Sequence, residues 1–108
     1  MTTIDGRELS RTDLRLTTLG FGGGPIGCRR TAAIDDGADK LLEAAWEGGI
    51  RYYDTAPYYG YGDSERRVGR GVARRSRDDF VFSNEVGVHP TPLPRRPRRG
   101  AGRLRLFI

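Results

Sequence analysis

Apolar positions along the first 86 residues switch repeatedly between short continuous runs and a recurrence every three or four residues. Glu8 to Leu16 holds short β-prone pieces around an Arg11-Thr12-Asp13 turn signal, which predicts a hairpin. Leu16-Thr17-Thr18-Leu19-Gly20-Phe21 reads as a strand running into Gly22-Gly23-Gly24-Pro25, where the glycines stop the strand and permit close backbone approach to a ligand. From Asp35 or Asp36, either of which can cap a helix, Ala38, Leu41, Leu42, Ala45 and Trp46 recur at helical spacing. Gly48-Gly49 ends that helix, and Ile50–Asp54 follows as a second strand. A second helix starts at Asp63 or Ser64, carries Val68 and Val72 on one face and continues to about Arg75. Gly69 and Gly71 weaken it by roughly 1 kcal/mol each, so packing must hold it. Phe80 to Val86 is the third strand, ending at Gly87.

Strands alternating with helices through short connections call for parallel pairing in βαβ units. The chain of 108 residues accommodates one domain with a modest core. Its net charge of +5 is unevenly placed. Residues 1–88 hold 13 Lys and Arg against 14 Asp and Glu, whereas residues 89–108 hold six arginines and no acid. A single cysteine, Cys28, allows no internal disulfide and fits a reducing compartment. No apolar run approaches the ~20 residues of a membrane span, and no signal-peptide core is present near Met1, so a cytoplasmic protein is expected.

The candidate chemistry lies in residues 54–65, DTAPYYGYGDSE. Asp54 falls at the end of the second strand and Tyr59 in the loop beyond it, the end at which α/β folds carry out chemistry. With Leu19-Gly20-Phe21-Gly22 before it, this stretch resembles the active-site region of the aldo-keto reductases. The longer string EGGIRYYDTAPYYGYGDSERRVGRGV is similar to a bacterial subgroup acting on aldoses such as L-fucose and including pyridoxal reductases. The resemblance implies an α/β fold, the N-terminal portion of a (β/α)8 TIM barrel: a hairpin closing its bottom, then about three βα units, incomplete over residues 1–88. It implies hydride transfer between NAD or NADP and a small-molecule carbonyl, sugar or alcohol. Tyr59 then matches the general acid and Asp54 the paired carboxylate, while Gly22, Gly23, Gly24 and Asp54 match contacts to the nicotinamide end of the cofactor. No metal is implied.

The chain departs from the family at Glu85. Where the family carries a lysine within a Ser-Thr-Lys-Val-Gly-like pattern, Ser83-Asn84-Glu85-Val86-Gly87 stands here. A cation beside a phenol lowers its pKa and makes it a better acid, whereas an anion raises it. The one lysine, Lys40, is predicted on the first helix and cannot substitute. The family's next-strand histidine is also missing, since His89 lies only four residues past Glu85. Impaired catalysis is expected.

Residues 89–108 lose all periodicity and hold four of the six prolines, which reads as a disordered segment. Eighteen arginines against one lysine fit a GC-rich gene, and a frameshift or truncation near residue 88 would explain the Pro/Arg-rich stretch. Two other classes compete. The six arginines could contact nucleic-acid phosphates, although the lone aromatic, Phe107, supplies no stacking platform. Alternatively, residues 8–88 form a non-catalytic fragment that associates with a complementary partner.

Overall fold

The computed structural model describes residues 3–27 and 32–85. The expected hairpin is present: β1 (Gly6–Glu8) pairs antiparallel with β2 (Arg15–Thr17). Arg11 takes a positive φ of 64° at its turn, and the Thr12 hydroxyl donates to the Leu9 carbonyl at 2.7 Å. The run from Leu16 to Phe21 is divided instead of forming one strand. Its first half belongs to the hairpin, and only Phe21–Gly22, β3, joins the main sheet. The Thr17 hydroxyl turns the chain between them, donating to the Leu19 carbonyl and accepting from the Arg51 amide.

The main sheet is parallel, in the order β3, β4 (Tyr52–Thr55), β5 (Val81–Asn84). Ile50 stays outside β4 because its amide closes the end of α1 on the Ala45 carbonyl and its own carbonyl accepts the Tyr53 hydroxyl. Alternation along β4 sends Tyr53 and Thr55 into full burial and leaves Tyr52 and Asp54 half-buried. The two crossover helices, α1 (Ala32–Glu47) and α2 (Asp63–Val72), pack against each other and against the buried side. Ala38, Leu42 and Trp46 join Phe21, Tyr53, Val68, Val72 and Phe80 in one core. Leu41, which the periodicity places in the core, is exposed because the buried stripe narrows to Ala38, Leu42 and Trp46.

The first helix starts earlier than expected, whereas the second starts at Asp63, as expected. Helix α1 runs from Ala32, so Asp35 and Asp36 lie inside it and are not its caps. Asp35 instead accepts from Arg67 at 2.7 Å, and Asp36 pairs with Lys40. Helix α2 is preceded by Gly62 in a left-handed conformation and ends at Val72, earlier than Arg75. Cys28, Val86, Gly87, His89, Phe107 and the whole 89–108 segment lie outside the described residues.

Candidate active site

At the C-terminal ends of the parallel strands, register decides which side chains meet. Gly22 is paired with Asp54, and Asp54 with Ser83. The Ser83 hydroxyl donates to Asp54 Oδ1 at 2.5 Å. Its single proton is thereby used, so the Tyr52 hydroxyl, 3.1 Å away, is the donor to Ser83. One residue beyond β5, the Glu85 amide still donates to the Thr55 carbonyl, which carries the sheet pattern to the position expected to hold a lysine.

The loop between β4 and α2 brings Tyr59 back to that position. Its hydroxyl donates to Glu85 Oε1 at 2.8 Å. This hydrogen bond holds Tyr59 above the ordinary phenol range, and partial desolvation and the charges of Glu85 and Asp54 push the same way. Lys40 is on the exposed face of α1, 2.8 Å from Asp36, and supplies no charge to this pair.

The glycine run does three different things. A Cβ on Gly22 would meet nothing within 4 Å, so this position faces open space. On Gly24 it would touch the Tyr59 ring at 3.9 Å. On Gly23 it would clash with Ser64 Oγ at 2.5 Å and the Asp54 carbonyl at 2.8 Å. Gly23 is thus required by packing: its amide donates to the Asp54 carbonyl at 2.7 Å and its carbonyl accepts from Ser64 at 2.6 Å.

Ser64 is read from sequence as a helix start, yet no side chain caps α2, and the fully buried hydroxyl latches the glycine loop to the helix. Thr55, equally buried, donates to Ser64 at 2.6 Å. Further along the loop, Gly60 has φ 67°, and a Cβ there would lie 2.0 Å from the Gly27 carbonyl oxygen. Only glycine permits that approach.

Sequence reasoning missed Ser83, Tyr52, the Ser64–Thr55 latch and Arg67. Aligning the strand ends in parallel register would have found Ser83 beside Asp54. Arg67, with no solvent exposure, gives no such signal, since arginine on a helix reads as solvated. Its guanidinium donates to Asp35 at 2.7 Å and to the Ile26 carbonyl at 2.6 Å, tying the segment after the glycines to both helices.

At the opposite end of the strands, a cleft of about 340 Å³ lies between the hairpin and the segment before β5. Asp13, Asp78 and Asp79 interleave there with Arg15, Arg51 and Arg77, and none of the predicted site residues takes part.

A sequence profile of the Aldo/keto reductase family matches residues 18–99. The chain belongs to the Aldo/keto reductase family. That match runs past residue 88, the boundary expected from composition. Among curated aldo-keto reductase relatives, the chain is 46% identical over 87 residues to D-threo-aldose 1-dehydrogenase of a Pseudomonas species, covering 81% of this chain and 26% of that one. It is 44% identical to pyridoxal 4-dehydrogenase of Microbacterium luteolum, covering 75% of this chain and 23% of the relative. The chain therefore spans about a quarter of the length of the curated relatives it matches.

Among solved structures, an aldo-keto reductase of Bacillus halodurans in its holo form matches with a TM-score of 0.69 at 32% identity, over 79% of this chain and 26% of that one. One from Klebsiella pneumoniae in complex with NADPH matches with a TM-score of 0.57 at 29% identity, over 67% and 24%. The architecture is a partial α/β portion of that barrel fold, with no closed barrel among the described residues. No helix among them is long and apolar enough to cross a membrane.

Proposed function

We propose that residues 18–85 carry part of the active site of an oxidoreductase acting with NAD or NADP on a small aldehyde, aldose or the corresponding alcohol. Tyr59 is the residue that exchanges a proton with the substrate oxygen, Asp54 is its paired carboxylate, and Glu85 occupies the lysine position. The observation that carries this reading is the convergence of Tyr59, Asp54, Ser83 and Glu85 at the C-terminal ends of adjacent parallel strands. Enzymes of α/β architecture place reacting groups at that end.

The nicotinamide end of a cofactor fits the residues present. Gly22 faces open space beside Asp54, and Gly24 leaves room up to the Tyr59 ring. When bound, the nicotinamide supplies or takes the hydride, while this chain's own part is to hold the substrate oxygen and manage its proton. Glu85 works against proton donation, because the Tyr59 proton is directed into the Glu85 carboxylate and away from the substrate. Reduction of carbonyls is therefore impaired in this chain.

Cofactor binding and carbonyl reduction by the chain and by Glu85→Lys test this reading. The lysine variant is expected to reduce carbonyls about 10²–10⁴-fold faster, the range a positioned general acid contributes. If neither protein perturbs nicotinamide fluorescence, the site assignment fails.

A further inference from the structure

The hydrogen-bond polarity of the site narrows what it binds. Three hydroxyl protons lie in the strip formed by the strand ends, and each is directed at a protein acceptor. Tyr59 donates to Glu85 Oε1 at 2.8 Å, Ser83 donates to Asp54 Oδ1 at 2.5 Å, and Tyr52 donates to Ser83 across 3.1 Å. What these side chains still offer a ligand is acceptor capacity: the Tyr59 oxygen lone pairs, the second oxygen of Glu85 and the second oxygen of Asp54. A carbonyl oxygen brings only lone pairs and would face acceptors. To donate to it, Tyr59 would have to give up its bond to Glu85.

We propose that the site formed by Tyr59, Glu85 and Asp54 binds its ligand through a donated hydroxyl proton, as an alcohol or lactol, and discriminates against the carbonyl form. This rests on the assignment of Tyr59 and Asp54 to the substrate site made above. The hydroxyl hydrogen of the ligand points at the Tyr59 oxygen, with the Tyr59–Glu85 bond intact and the free carboxylate oxygens flanking it. A lysine at position 85 reverses the polarity, because an ammonium has protons and no lone pair, which frees the Tyr59 proton for a carbonyl. The carboxylates would also suit an ammonium, so the test separates that chemistry.

The experiment measures binding of 1-phenylethanol, acetophenone and 1-phenylethylammonium to the whole chain by ligand-observed NMR, without cofactor. The expected result is that the alcohol binds about fivefold or more tightly than the ketone, as expected when one polar partner is mispaired. The order should reverse in Glu85→Lys, and Tyr59→Phe should lose the alcohol. Glu85 is exposed at the end of its strand, so Glu85→Lys keeps the fold, which dispersed amide resonances verify. Preference for the ketone by the unaltered chain, or the same order in Glu85→Lys, overturns the inference while Tyr59 remains a ligand contact. The ammonium binding ahead of the alcohol also overturns it, since charge would then be what is selected. Loss of all binding, or binding indifferent to Tyr59→Phe, overturns the substrate-site assignment itself and this inference with it.

Discussion

Tyr59 donates its proton to Glu85 across 2.8 Å, and the phenol is held protonated further into the alkaline range than a free tyrosine. Because its folded pKa is raised above the ordinary value of 10.0, the stabilisation from this bond is present below that pH and lost as pH rises through the folded value. With tyrosine labelled at the ring carbon bearing oxygen, the Tyr59 resonance should titrate above the ordinary value of 10.0. In Glu85→Lys its midpoint should fall. A midpoint unmoved by that change would remove Glu85 as the cause. Arg67 poses a different residue-scale question. Replacing it with leucine leaves the Ile26 carbonyl without this donor and Asp35 without its closest cation, at a cost of about 2–4 kcal/mol by denaturant unfolding. The placement of Asp54 at a strand end, Tyr59 in the loop beyond it and Glu85 after the third strand was legible, the last through the resemblance to the family pattern. The partners Ser83 and Thr55 were not: Ser83 meets Asp54 only through the register between β4 and β5, and Thr55 meets Ser64 only once α2 packs on β4.

Among the elements, the three parallel strands and both helices could be read from periodicity, and what failed were boundaries. The run from Leu16 to Phe21 is β-prone on both sides of Gly20, so nothing local reveals that hydrogen bonding to β1 claims its first half. The helix pair also shows why propensity alone misjudges glycine. Gly69 and Gly71 sit two residues apart in α2, yet a Cβ on Gly69 would meet nothing, whereas one on Gly71 would press on Leu42 at 2.8 Å. Gly69→Ala should therefore stabilise the protein by about 0.5–1 kcal/mol through helix propensity. Gly71→Ala should destabilise it by about 1–3 kcal/mol through overpacking between the helices. Equal midpoints for the two variants in urea would refute the distinction. The same interface carries acids from α1 (Asp35, Asp39, Glu43) against Arg67 and Arg70 of α2 and Arg75 beyond it. Arg67, by hydrogen bond and charge, lowers the Asp35 pKa below its usual 3.8. That contribution holds above pH 3.8 and disappears as pH falls through the lower folded value.

For the molecule as a whole, β3 and β5 each have a parallel partner on one side only among the described residues. The site depends on that sheet for its geometry, but the sheet uses only the backbone of residue 85 and not its side chain. Glu85 lies just past the last rung of the ladder, exposed and outside the core, with its side chain bonded to Tyr59. Replacing glutamate with lysine at this position costs the fold only the exposed bond to Tyr59. On the function proposed above, a single codon would thus alter the chemistry of the site at little expense to the fold, leaving selection on the reaction as its main guardian.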